Sequence, residues 1–229
     1  MSIPTSSLPI SRFETIQQSV NIFFMRHGQS IANKSNTVQG RANSALSKEG
    51  RTQARISSNY FKPFNLDGIY SSPLIRANET AKIVSKELGH DPEAVEAIEE
   101  LQELDTGIFS ERSIDSLKIE EPKLWNDYQR LSWDGVPEAE GAASLRIRSD
   151  RIWEKVAELV QEGKSSILCV AHGGIMQWIV KASFTPEGRW MPLLQINNCG
   201  IFHLHVRPTD AKESVIATWR AFNRIEYEE

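Results

Sequence analysis

Residues 20–28 read VNIFFMRHG, a short and nearly continuous apolar run that stops abruptly at Arg26-His27-Gly28. Such a run predicts a strand covered on both faces, as strands of parallel sheets are. The same device recurs at residues 166–174, SILCVAHGG, where six mostly apolar residues run into His172-Gly173-Gly174. Working outward from these two stretches, Ser47 opens a helical segment that runs to about Phe61, and Asp67 to Tyr70 reads as a short strand. Ser71-Ser72-Pro73 is a turn, and Pro73 suits the first turn of a helix that continues to about Leu88 and stops at Gly89. Further helices are expected from about Ser144 to Gln161 and from about Ile175 to Ser183. This alternation predicts an α/β fold: a three-layer α/β/α sandwich around a mostly parallel central sheet. Gly200 to Val206 and Ser214 to Phe222 are the last strands, either paired as a hairpin or apart in the sheet.

The rhythm breaks between about residues 104 and 141. Two short helices, Ile114 to Ile119 and Pro122 to Leu131, are separated at Pro122, and Trp125, Tyr128 and Trp133 are concentrated there. This is the expected small helical cap insertion on a single domain spanning 20–229. The helical spacing of Trp125 and Tyr128 fits core packing, with an aromatic lid over an organic leaving group as the alternative. Residues 1–19 are polar, with Arg12 and Glu14 the only charges before the first strand, and read as a loosely ordered arm.

The chain has 229 residues, 40% hydrophobic and 24% charged, with a net charge of −4, an ordinary balance for a soluble globular protein. That balance argues against a nucleic-acid binder, which carries a basic surplus, and no segment has the make-up of a signal peptide or a membrane span. A cytoplasmic location and no membrane partner are the corresponding expectations. Cys169 and Cys199 show no paired spacing, so neither a disulfide framework nor a zinc site follows. Cys169, inside an apolar strand, reads as a buried thiol.

In parallel α/β sheets ligands bind in the crevice beyond the carboxyl ends of the strands, and His27 and His172 both stand there. Each is followed by glycine, which allows close backbone approach to a ligand. Arg26 adjoins His27, and Arg76 lies near the start of the helix after Ser71-Ser72-Pro73. A guanidinium is a permanent planar cation matched to phosphate oxygens, and a helix start also favours anions. His203 and His205 share one face of a strand; without an evident third ligand they read as packing or surface residues, and no metal is assigned. His90 reads as solvated.

The string FFMRHGQS, then Tyr70-Ser71-Ser72-Pro73-Leu74 with Arg76-Ala77 and Thr80-Ala81, then Val170-Ala171-His172-Gly173-Gly174, resembles the histidine phosphatase superfamily. These motifs span about Asn21 to Ile179. The resemblance implies that His27 accepts the phosphoryl group and that Arg26, Arg76 and His172 complete a phosphate pocket; a protonated His172, with the two arginines, can then meet the charge of the transferring group. It also implies contacts to phosphate or substrate from Asn33 and Gln39, with Gly40 and Gly173 in the binding set. Leu101-Gln102-Glu103-Leu104 with Gly107 is similar to the stretch that carries the family's proton donor, which makes Glu103 the candidate acid. Glu99, Glu100 and Glu111 compete with it, because the match is looser around Phe109-Ser110-Glu111.

The implied activity is hydrolysis of a small organic phosphate through a phosphohistidine on His27, with no cofactor and no metal. Phosphoglycerate mutase-type transfer between hydroxyls is the alternative, and a binding module that has lost catalysis a further one. Hydrolysis is preferred because the glutamate-arginine-histidine-tyrosine-glycine string of the glycolytic mutases is replaced by Gln102-Glu103-Leu104-Asp105-Thr106-Gly107. The insertion is also compact, and Ala143 precedes Ser144 where several branches carry an acid. The small phosphorylated molecule itself and the oligomeric state are not legible.

Overall fold

The structure is a computed structural model and describes residues 9–184, 193–210 and 214–227. In chain order its elements are β1 (Val20–Arg26), α1 (Ile31–Lys34), α2 (Lys48–Ser57), β2 (Gly68–Ser71) and α3 (Ile75–Glu87). After these come β3 (Glu96–Ala97), α4 (Ile114–Glu120), α5 (Pro122–Leu131) and α6 (Ala142–Gln161). The chain then forms β4 (Ser166–Ala171), α7 (Gly173–Phe184), β5 (Ile201–Pro208) and β6 (Val215–Arg224). The six strands lie in the order β3-β2-β4-β1-β5-β6. β3, β2, β4 and β1 are mutually parallel, while β5 runs antiparallel to β1 and pairs with β6 as a hairpin.

Alternation along the two central strands builds the layers. Ile22 and Phe24 of β1, with Ile167 and Cys169 of β4, pack into a core with Ile152, Trp153 and Val156 of α6 and Ile175, Met176 and Ile179 of α7. The intervening Phe23, Met25, Leu168 and Val170 face Ala54 of α2 and Ala77, Ala81 and Val84 of α3. A strand buried on both sides needs apolar residues on both of its faces, which is why neither run alternates with polar residues. The central sheet is therefore mixed but mostly parallel, with helices on both faces, as expected.

Some details differ from the sequence-based expectations. α3 begins at Ile75 with Leu74 at its N-cap, so Pro73 precedes the helix instead of opening its first turn. The two-residue β3 has no periodicity to announce it. Residues 1–8 of the expected arm lie outside the described residues; Pro9–Phe13 is a 3-10 turn. Phe13 is buried there, its ring edge-on to Trp153 at 6.4 Å. In the cap, Phe109, Leu117 and Val136 form a small separate core against which Trp125, Tyr128 and Trp133 pack. Trp125 and Tyr128 belong to the cap's own packing, while Trp133 also packs against the main core.

Trp153 joins the layers: it is fully buried, packs on Phe24 and donates from Nε1 to the carbonyl of Ile179 at 3.0 Å. Trp153→Ala should cost about 3–5 kcal/mol of stability, measurable by denaturant unfolding; a loss below 1 kcal/mol would show that α6 and α7 are held elsewhere.

Candidate active site

β1 and β4 are neighbours in register, with Arg26 opposite Ala171, so the residues that follow them emerge side by side. The His27 and His172 rings are 5.0 Å apart, centroid to centroid, and both are buried. His27 Nδ1 lies 2.7 Å from the carbonyl of Gly28, an acceptor only, so Nδ1 carries the proton and Nε2 keeps its lone pair. Arg76 donates from Nε to that Nε2 at 3.2 Å. The same guanidinium donates to the carbonyls of Ala42 and Gly40 at 2.7 and 2.8 Å and is only 1% exposed. Arg26 donates from Nη1 to the carbonyl of Ile196 at 2.5 Å.

At this pocket the buried Arg26 Nε and His172 Nδ1 have no partner among the described residues. Ser72 Oγ lies 2.8 Å from His172 Nε2 and accepts from the N–H of Leu74. A hydroxyl both donates and accepts, and in the tautomer where Ser72 donates to Nε2 the ring proton sits on the unpartnered Nδ1. Arg76 Nε meets His27 Nε2, and in that tautomer Arg26 and His172 add unpartnered N–H groups, the kind of donor set an oxyanion requires.

Burial pushes the pKa of His27 well below its ordinary 6.5, and the charges of Arg26 and Arg76 push it the same way. His172 is lowered well below 6.5 by burial, then by Arg76, His27 and Arg26. Burial first, and then the neighbouring cations, hold His172 neutral in the free pocket; the protonated His172 expected to meet the transferring group belongs to the loaded pocket. Arg76 itself is lowered to about 10 by burial, against the raising effect of Glu103.

Glu103 is the glutamate that reaches this pocket. Its carboxylate accepts the N–H groups of Gly174 and Ile175, both at 3.0 Å, and of Leu104 at 2.9 Å. It therefore caps the start of α7, immediately after His172, where helix N–H groups favour an anion. Glu99 and Glu111 are exposed and Glu100 half-buried, none with such an anchorage. A Cβ on Gly174 would lie 2.5 Å from Glu103 Oε1, so the second glycine of the motif exists to admit this carboxylate.

The other expected binding residues lie around the rim. Asn33 Oδ1 accepts from the N–H of Ser30 in a capping box of α1, and from Asn198 Nδ2. Gln39 Oε1 accepts from Ser30 Oγ at 2.9 Å, which leaves its amide nitrogen as the end that could meet an anion. Gly40 supplies the carbonyl that holds Arg76, and its φ of +51° favours glycine. Gly173 faces Arg26, a Cβ there lying 3.6 Å from Nε. The role expected of Gly28 is corrected: a Cβ there would lie 2.4 Å from the carbonyl oxygen of Gly50, so the close approach is to α2. Sequence reasoning missed Ser72 as the partner of His172. It also missed Asn198, whose Nδ2 donates to the carbonyl of His27 at 3.1 Å; Asn198 stands in no pattern that announces it.

His203 is a core residue, bonded to Asn21 Oδ1 at 2.9 Å and Tyr60 hydroxyl at 3.1 Å. Among the described residues no group of three or more His, Cys, Asp or Glu side chains could hold a metal ion. No described helix is long and apolar enough to cross a membrane.

Comparison with known proteins agrees with this geometry. The chain belongs to the histidine phosphatase superfamily (branch 1), whose family model matches residues 22–218. Fold and family together define a phosphoryl-transfer enzyme. A relative in Escherichia coli strain K12 (DH10B), a probable phosphoglycerate mutase GpmB, is 28% identical over 183 residues, covering 80% of this chain and 83% of the relative. The crystal structure of a phosphoglycerate mutase from Bacillus anthracis superposes with a TM-score of 0.76 at 22% identity, covering 92% and 95% of the two chains. The Shigella flexneri alpha-ribazole phosphatase gives 0.73 at 22% identity, covering 92% and 100%. A mycobacterial glucosyl-3-phosphoglycerate phosphatase complexed with VO3 gives 0.69 at 22% identity, covering 89% and 98%.

The histidine pKa shifts have a stability consequence. His27 and His172 stay neutral in the folded chain, as does His203, lowered to about 4 chiefly by burial, while the unfolded chain takes up protons near pH 6.5. Below that pH the unfolded state binds more protons, so stability falls as pH falls from about 6.5 toward the depressed native values. The slope reaches up to about 1.4 kcal/mol per pH unit for each histidine. Denaturant midpoints measured between pH 7 and 5 should fall accordingly; a flat profile would contradict the neutral pocket.

Proposed function

We propose that the protein is a metal-independent phosphomonoesterase acting on a small organic phosphate through a phosphohistidine on His27. The observation that carries this is His27 buried beside His172 with its Nδ1 against the carbonyl of Gly28 and its Nε2 3.2 Å from Arg76 Nε. In the first step Nε2 attacks phosphorus, the N–P bond forms and the ester O–P bond breaks. Glu103, a carboxylate in the free pocket, takes up the proton of the monoanionic ester as it binds and delivers it to the departing oxygen. In the second step Glu103, now a carboxylate, takes a proton from water as the water oxygen attacks phosphorus, and the N–P bond breaks to release inorganic phosphate. Splitting one displacement into two is the gain of nucleophilic catalysis, and the proton transfer is worth roughly a hundredfold to ten-thousandfold.

The transferring group spreads its negative charge over three oxygens. Arg76 Nε, which in the free pocket donates to the nucleophile, turns to one of them, and His172 Nδ1–H and Arg26 supply further donors. A bound dianion also favours protonation of His172, which then contributes full charge in the transition state. Asn33, Gln39, Gly40 and Gly173 line the rim in this reading, and a cytoplasmic location is proposed with it.

The name of the E. coli relative favours the alternative of transfer between hydroxyls on phosphoglycerate. The two are separated by rates measured on one preparation. Hydrolysis across a panel of phosphorylated metabolites, in the presence of EDTA, should exceed phosphoglycerate isomerisation primed with bisphosphoglycerate, and vanadate should inhibit competitively. Faster isomerisation would make the protein a mutase, and loss of activity in EDTA would remove the metal-independent mechanism.

A further inference from the structure

Glu103 lies on an irregular segment, between the 3-10 turn Glu99–Leu101 and an isolated bridge at Thr106. No strand or helix fixes its backbone, so something else must. Arg148 of α6 donates from Nη1 to the carbonyls of Glu100 and Gln102 at 2.8 and 2.6 Å, gripping the chain just before Glu103. The rest of the same guanidinium meets Glu140 as a two-pronged fork, Nε to Oε1 at 2.9 Å and Nη2 to Oε2 at 2.6 Å.

Glu140 stands where the cap rejoins the body of the domain. Its N–H donates to the carbonyl of Asp105 at 2.8 Å, just after Glu103. Its carboxylate also accepts from Ser144 Oγ at 3.0 Å and from Arg41 Nη2 at 3.3 Å, and Arg41 Nε donates to the carbonyl of Glu103 at 3.4 Å. The Arg148 and Glu140 side chains are 13% and 8% exposed, so the pair is shielded and its geometry fixed in a way a solvated ion pair's is not. Burial alone would raise the Glu140 carboxyl, but the hydrogen bond and charge of Arg148 hold it below its ordinary range.

We propose that Arg148 and Glu140 are positioning residues that grip the backbone on both sides of Glu103, aim its carboxylate at the leaving-group oxygen, and tie that aim to the seating of the cap. The proposal rests on Glu103 being the leaving-group acid. It predicts a loss that depends on the leaving group, because only an ester whose departing oxygen needs a proton should notice a misplaced acid. A role confined to stability would affect all esters alike.

The test compares kcat/KM, which reports the first step alone and not the water attack common to all esters, on glycerol phosphate, an alkyl ester, and on p-nitrophenyl phosphate, whose leaving group departs readily as an anion. Arg148→Met should lower the value on glycerol phosphate about tenfold to a hundredfold while leaving that on p-nitrophenyl phosphate within about twofold. Glu140→Gln should show the same split to a smaller degree, and it carries the test if Arg148→Met does not fold. Arg148→Met combined with Glu103→Gln should be no worse on glycerol phosphate than Glu103→Gln alone. Equal losses on both esters, or no loss on either, would overturn the proposal. Glu103→Gln measured alongside locates such a failure: if it shows the split and the other variants do not, the clamp is wrong and the acid stands. If Glu103→Gln shows no split, the acid assignment has failed and the clamp falls with it.

Discussion

The rest of the site depends on one buried cation. Arg76 is almost fully enclosed, its guanidinium fixed by the carbonyls of Gly40 and Ala42 and donating to Nε2 of His27. Placing it there costs free energy, since burying charge without a counter-ion is unfavourable, and Arg26 stands close enough to make matters worse. The histidines respond by staying neutral. Glu103 offsets part of the imbalance, raising both arginines toward their ordinary values. A dianionic phosphoryl group would offset most of the remainder, so the pocket is arranged for a charge it does not itself contain. This is electrostatic preorganisation in its simplest form: the cost of assembling the cations is met in folding, before the substrate arrives.

The fold makes that assembly possible through adjacency. Parallel neighbours β1 and β4 deliver His27 and His172 from the same edge of the sheet, and α7 begins at once after His172 so that its first N–H groups receive Glu103. Two glycines serve packing: Gly28 lets the loop after β1 touch the start of α2, and Gly174 leaves room for the Glu103 carboxylate. The cap, with its own aromatic core, is joined to the catalytic edge through Glu140.

Much of this was legible in the sequence, for definite reasons. Apolar runs ending at Arg26-His27-Gly28 and His172-Gly173-Gly174 announce buried parallel strands and the edge where ligands sit, because strand burial and composition are directly linked. Arg76 was legible as a cation near a helix start, but its bonds to Gly40, Ala42 and His27 were not. What escaped depends on contacts between distant positions. Ser72 is an ordinary turn serine until its Oγ is seen against His172, and Asn198 has no local signal. Arg148 and Glu140 carry no local signal, and their pairing is seen only in the fork. β3 is too short to carry a period. The neutral state of His172 in the free pocket was not legible, because charge state depends on burial and neighbours, which composition does not report.

The most direct test of the central claim is to catch the phosphoryl group on the enzyme. Wild-type protein mixed with a labelled phosphomonoester, quenched rapidly in base and digested, should yield a peptide carrying acid-labile phosphate on the imidazole of His27. The His27→Ala protein should yield none and should lose turnover. Label on another residue, or turnover that survives His27→Ala, would contradict the account.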